Sequence, residues 1–261
     1  MKLEVRKRMG HLKENKPPLV FVHGAAGGAW YFEHFLDYFD AQGYDCYAIS
    51  LRGHGQSEGY EALDSYKLID YVSDVKSVID TLDRKPILIG HSMGGAITQK
   101  YIGLYQDDLE AAILLASAQA GGIEKDSPLG LFFSDAKSFL RMFRQGHPGE
   151  KISLGNIMND TIFSNRFNSH ELKEIRKKLT KESLLVKKDL LKPFIDESIE
   201  VKIKVGVIGS YGDHIVRVEQ TMKTANAFGV KPIFIPNVCH FMTIDPEWEC
   251  VAAAILKWIE G

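Results

Sequence analysis

A chain of 261 residues, 45% hydrophobic and 25% charged, is long enough to bury a sizeable core as one domain with an insertion or as two small domains. Its formal net charge of -2 exerts no pull toward nucleic acid or an anionic membrane, which leaves a small neutral molecule as the expected partner. No apolar stretch approaches the length of a membrane span, and residues 1–7 lack the apolar core of a secretory signal, so a cytoplasmic protein is expected. Cys46, Cys239 and Cys250 form neither a metal-ligand spacing nor an even disulfide set, and read as buried free thiols.

Short apolar runs alternate with helical periods along most of the chain, the pattern of a mostly parallel sheet flanked by helices. Leu19, Val20, Phe21 and Val22 read as a buried strand, and Trp30, Phe35, Leu36 and Phe39 recur at helical spacing until Gly43 stops that helix. A second strand is expected over 44–50. Asp64 or Ser65 can cap a long amphipathic helix that turns Ile69, Val72, Val75, Val78, Ile79 and Leu82 inward. Strand 86–90, helix 94–105 and strand 111–116 follow. The alternation resumes with strand 203–209, a helix near 218–228, strand 232–236 and a last helix with Asp245 as cap and Pro246 at its first position.

Between residues 121 and 200 the alternation lapses. Phe132, Phe133, Phe139 and Phe143 are followed by basic helical stretches at 171–179 and 183–191, too apolar as a whole for a disordered linker. A core of 1–120 and 201–261 carrying a helical cap over 121–200 fits this pattern. The cap phenylalanines Phe132, Phe133 and Phe139 either line a substrate pocket or pack the cap on the core. Trp30 is a further candidate to touch substrate, although packing its own helix explains it better.

Gly90-His91-Ser92-Met93-Gly94 matches G-x-S-x-G between an expected strand and an expected helix. A turn that tight forces the serine into strained dihedrals with its hydroxyl projecting above the sheet, and its neighbours must be glycine to avoid clashes. His23-Gly24-Ala25-Ala26-Gly27-Gly28 follows the first core strand. Acyl transfer builds negative charge on a carbonyl oxygen, and unshielded backbone N–H groups stabilise it. Ala25, after His-Gly, and Met93, after the serine, are the expected donors of this oxyanion hole. The phosphate-loop patterns G-x-x-x-x-G-K-[ST] and G-x-G-x-x-G are absent. His23 reads as a turn brace. His240 follows the last strand and suits a general base; Asp213 ends the preceding strand and suits its orienting acid, with His214 beside it as exposed loop. Asp245 is explained by helix capping.

These pieces can be set against a known family. Val22-His23-Gly24, Ser50-Leu51-Arg52-Gly53-His54-Gly55-Gln56-Ser57, Gly90-His91-Ser92-Met93-Gly94-Gly95, Gly212-Asp213 and His240-Phe241-Met242 resemble the α/β-hydrolase superfamily, in detail its bacterial carboxylesterase and lysophospholipase-like branch. The resemblance implies a Ser92, Asp213, His240 triad in the chain order Ser…Asp…His, a structural Arg-Gly-His-Gly turn, and a first sheet strand missing from the short N-terminus. It also implies carboxylic ester hydrolysis through an acyl-enzyme, a small-molecule ester substrate and no cofactor or metal. Cys239 departs from the glycine common before the family's histidine. The same scaffold serves lactonase, C–C hydrolase, perhydrolase and hydroxynitrile lyase chemistry and slow-turnover ligand receptors; epoxide hydrolase and dehalogenase chemistry requires a carboxylate where Ser92 stands.

Overall fold

The computed structural model of the protein describes residues 1–10, 16–134, 162–195 and 199–261. Leu19–Val22 (β2), Cys46–Ile49 (β3), Ile87–His91 (β4) and Ala111–Leu115 (β5) are buried at every position. Strands with no solvated face carry unbroken apolar runs and pair in parallel, because helical crossovers cover both sides. With Val5–Arg8 (β1), Lys204–Ser210 (β6) and Ile233–Ile235 (β7) they form a seven-stranded sheet in the order β1-β3-β2-β4-β5-β6-β7. Every pairing is parallel except that of β1 with β3. β1 is an edge strand, and its charged residues Arg6 and Arg8 both reach Glu33, a way of closing an edge to further pairing. The expected α/β architecture is therefore present.

The direction of travel decides where loops gather. From β2 the chain passes through Glu33–Ala41 (α1) to β3 on one side; β4 passes through Met93–Tyr105 (α3) to β5 on the other. Right-handed crossovers place α1 and α3 on opposite faces. α1 packs with the last helix, Trp248–Glu260 (α8), and α3 with Leu68–Ile79 (α2). Register pairs Val22 with Gly90 and His91 with Leu115, so β2, β4 and β5 end level. The loops after β2 and β4 diverge at the carboxyl edge and open a crevice there, where sheets of this kind take ligands. Below it Phe21, Phe32, Phe35 and Phe39 stack with ring centroids 5.1 to 6.2 Å apart.

Residues 121–200 lie between β5 and β6 and contribute Pro128–Ser134 (α4), Ser169–Lys178 (α5) and Leu184–Asp189 (α6). Asn168 caps α5 and shares a capping box with Glu171, a signal of the N-x-x-E kind. Val218–Ala227 (α7) follows β6. No helix among the described residues is long and apolar enough to cross a membrane.

Four local expectations need correction. Asp64 and Ser65 do not cap α2: they belong to a 3-10 turn, Tyr60–Ser65, and the Asp64 carboxylate instead accepts Leu184 N–H at the head of α6. Ile69, on the first turn of α2, points to solvent at 39% exposure. The last helix begins at Trp248 rather than Pro246, because Asp245 is drawn into other bonds described below. Cys46 and Cys239 are buried thiols as expected, whereas Cys250 is exposed.

Candidate active site

Ser92 stands between β4 and α3 with φ 54° and ψ -114°, a backbone state few residues with a side chain adopt. The glycines beside it are dictated by contact: a Cβ on Gly90 would run into Gly94 and Thr98, and one on Gly94 into the carbonyl of Val22. The strand-to-helix turn is thus pressed against β2, and the serine alone projects from it. Its N–H donates to Leu115 O (3.0 Å) and its carbonyl accepts from Ala118 N (3.1 Å), which ties the turn to the end of β5.

His240 reaches this serine from 148 residues away. Its Nε2 lies 3.0 Å from Ser92 Oγ and its Nδ1 2.9 Å from Asp213 Oδ2. A carboxylate only accepts, so the ring proton sits on Nδ1 and Nε2 is left to take the hydroxyl proton. The second oxygen of Asp213, Oδ1, accepts the N–H groups of Ile215 (2.8 Å) and Val216 (2.9 Å), which fixes the carboxylate with one oxygen aimed at the ring. Ser92, Asp213 and His240 are each at most 6% exposed. His214 is exposed, as expected.

The histidine loop is held by side chains rather than by its own geometry. Ser210 Oγ donates to Val238 O (2.6 Å) and accepts Val238 N–H (3.0 Å), stitching the loop to the end of β6. His91 Nε2 donates to the carbonyl of His240 (2.8 Å). Burial, with His240 adjacent, lowers the His91 pKa to about 3, so the ring stays neutral. Asp245 is more than a helix cap. Its Oδ2 accepts Cys239 N–H (3.1 Å), its Oδ1 accepts Glu247 N–H (2.9 Å), and Arg166 from the inserted region pairs with it at 2.8 Å. Nothing in the local sequence around Asp245 announces Arg166, which lies 79 residues earlier. The burial of Cys239 leaves no room for a large residue at that position.

Across the crevice, His23 accepts Leu51 N–H at Nε2 (3.1 Å) and donates from Nδ1 to Gly24 O (2.7 Å). Burial takes its pKa down to about 3; it is the turn brace expected of it. Among the described residues no acceptor takes the N–H of Ala25 or of Met93.

A cavity of about 70 Å³ opens over Ser92 and His240, with Ala25 on its wall. Its other walls are apolar: Tyr31, Leu129, Phe133, Ile162, Phe163, Leu179, Ile215 and Phe241. Of the cap phenylalanines, Phe133 is on this wall. Trp30 does not: it is buried beside Tyr31, their ring centroids 4.4 Å apart, and lies under Lys178 Nζ. The reason is register, since Tyr31, the next residue on the same turn, takes the wall position. Phe139 lies outside the described residues, as does the side chain of Phe132. Phe163, Leu179 and Ile215 sit on three segments far apart in sequence, so no local pattern could have grouped them.

The chain is similar to several known proteins. An α/β-hydrolase superfamily protein of Bacillus subtilis, YisY, is 30% identical over 53% of this chain and 52% of its own length. A monoacylglycerol lipase of Mycolicibacterium smegmatis is 34% identical over 38% of this chain and 37% of its own. The chain thus spans about half the length, or less, of the curated relatives it matches. The crystal structure of a Paleococcus ferrophilus monoacylglycerol lipase superposes with a TM-score of 0.73 at 22% identity, covering 99% of this chain and 98% of that one. That likeness carries the fold. The family described as serine aminopeptidase, S33, matches residues 13–247, almost the whole chain, and to that α/β-hydrolase family this protein belongs.

Proposed function

We propose that this hydrolase cleaves carboxylic esters of small to medium acyl chain through an acyl-enzyme on Ser92. The observation that carries the reading is the unbroken relay from Ser92 Oγ through His240 to Asp213, at 3.0 and 2.9 Å, at the floor of an apolar cavity. His240 Nε2 takes the serine proton as Oγ attacks the ester carbonyl, and Asp213 orients the ring and stabilises its cationic form. The unspent N–H groups of Ala25 and Met93 receive the oxyanion. Collapse expels the alcohol, which leaves with the proton from His240, and water then releases the acid by the same path. The wall of aliphatic and aromatic side chains favours an uncharged acyl group. In this reading the described part of the insertion between β5 and β6 caps the site, supplying Leu129, Phe133, Ile162, Phe163 and Leu179 to its walls. Relatives named as monoacylglycerol lipase are in keeping with ester substrates.

The test is a panel of nitrophenyl esters of graded chain length, run beside labelling with a fluorophosphonate probe. Wild-type protein is expected to turn over the shorter esters and to be labelled once. Ser92→Ala is expected to stay folded, lose labelling and fall by about 10^4-fold or more in turnover. Near-normal hydrolysis by folded Ser92→Ala would remove the mechanism.

A further inference from the structure

We propose that Glu182, contributed by the inserted region, is a positioning residue for the oxyanion loop, holding Ala26 so that the Ala25 N–H faces the substrate carbonyl. This rests on the ester-hydrolase reading above and adds to it a residue remote from the triad. Glu182 is 6% exposed, between α5 and α6. Its Oε1 accepts Tyr71 Oη–H (2.8 Å) and Ser183 N–H (2.8 Å); its Oε2 accepts Ala26 N–H (3.2 Å) and faces His54 Nε2 (3.1 Å). Four donors on one buried carboxylate are more than packing demands, and one of them is the loop beside the serine.

The loop geometry makes the bond to Ala26 consequential. Ala26 has φ 61°, a left-handed state that is unfavourable for a residue with a Cβ and persists only where its surroundings enforce it. Both of its backbone groups are taken by the same strap: Glu182 accepts the N–H, and Thr180 N–H donates to the carbonyl (2.9 Å). On the near side the Gly24 carbonyl accepts from His23 Nδ1 (2.7 Å) and Gly27 N–H (3.2 Å). The Gly24 carbonyl and the Ala25 N–H belong to one planar trans peptide and point opposite ways. Fixing the carbonyl toward His23 therefore turns the Ala25 N–H toward the cavity, and fixing Ala26 stops that peptide from rotating.

His54 explains why a carboxylate and not an amide is used. Its Nδ1 lies 3.1 Å from Arg52 O and its Nε2 3.1 Å from Glu182, two groups that only accept, so the ring carries both protons and forms a buried ion pair with Glu182. Its other charged and titratable neighbours are Asp74, already paired with Arg52 (2.7 Å), Tyr71, and the neutral His23 ring 5.2 Å away. The Arg-Gly-His-Gly turn thereby anchors the strap to the core.

The experiment compares wild type, Glu182→Ala, the isosteric Glu182→Gln and Tyr71→Phe, each checked for folding by thermal melting. Ester hydrolysis is measured beside affinity for an aryl boronic acid, which forms a tetrahedral adduct with the serine. Loss of one oxyanion donor costs about 10²- to 10³-fold in kcat, so partial misplacement in Glu182→Ala is expected to lower kcat about 10- to 100-fold with KM little changed. Boronate affinity should fall in parallel. Glu182→Gln is expected to lose about three- to tenfold, and Tyr71→Phe, which weakens the cluster but spares the bond to Ala26, less than Glu182→Gln. If Glu182→Ala does not fold, the Glu182→Gln and Tyr71→Phe pair carries the test. Folded variants within twofold of wild type in kcat, or a loss that tracks melting temperature alone in all three, would overturn the proposal while leaving the serine mechanism standing. A wild type that is neither labelled nor active on any ester would overturn both.

Discussion

The two sides of the crevice are built on different principles. On the serine side the backbone does the work: a strained residue at φ 54° is trapped by glycines whose replacement would collide with β2 and α3. On the histidine side the segment after β7 is placed by side chains, with Ser210, His91 and Asp213 reaching it from elsewhere and Asp245 from six residues further on. The first arrangement is local and steric, and survives the loss of a polar partner. The second is a set of buried bonds, most of them long-range, each of which leaves an unsatisfied group behind when its partner is removed.

That difference can be tested where it is largest. On the proposed chemistry, Asp213→Asn keeps the bonds to Ile215 and Val216 but reverses the preferred ring tautomer of His240, and kcat should fall by about 10^4-fold. A loss of tenfold or less, measured by steady-state hydrolysis, would mean that the ring is oriented by something other than this carboxylate.

Acid should strain the histidine loop and the turn after β2 at once, because each is braced by a buried neutral histidine. His23 and His91 bind a proton only at about pH 3 when folded, chiefly because burial disfavours the charged ring. In the unfolded chain they titrate near about 6.5. Between those values these two rings bind two more protons in the unfolded state than in the folded one, so the stability they contribute is full above about pH 6.5 and falls with acidification, by roughly 2.7 kcal/mol per pH unit. The lowered pKa values of Glu182, held by His54 and Tyr71, and of Asp245, held by Cys239, Glu247 and Arg166, act in the same direction. Urea melts at pH 6, 5 and 4 should give steeply falling stabilities; equal values would show these rings to be charged or solvated.

A smaller effect separates the role of Asp245 from simple capping. Asn caps helices well, so Asp245→Asn would be nearly silent if capping were all. With Arg166 left without its carboxylate partner and one acceptor of the Cys239 loop weakened, it should cost about 1 to 3 kcal/mol in denaturant melts, with Arg166→Ala similar and the double mutant less than additive. Full additivity would mean that the two residues do not act as a pair. At the bottom of the scale, Ile69→Lys on the exposed first turn of α2 should change stability by less than about 0.5 kcal/mol, the ordinary range for surface positions. A cost above 1 kcal/mol would restore the inward-facing role that its periodicity suggested.

Legibility followed the range of the interaction. Gly90, Ser92 and Gly94 could be read because their constraint spans five residues and forbids a side chain at either glycine. The parallel strands could be read because burial on both faces makes their central runs apolar, and Asp213 and His240 because each follows such a strand. What could not be read depended on which distant groups meet. Trp30 and Tyr31 are equivalent in sequence, and only the pitch of their turn puts the tyrosine on the cavity wall. Asp245 carries a plausible capping signal, and only the arrival of Arg166 turns it into a brace. Glu182 stands among basic helical residues with nothing to mark it.

By itself, then, the sequence determined the sheet, its carboxyl-edge crevice and the residue that projects into it, since covalent geometry and the exclusion of water act on every short segment alike. The tertiary structure alone decided the walls of the cavity, the bracing of the histidine loop and the clamp on Ala26, because buried polar groups take whichever partner the packed chain brings within 3 Å, and that choice is not written in either segment alone.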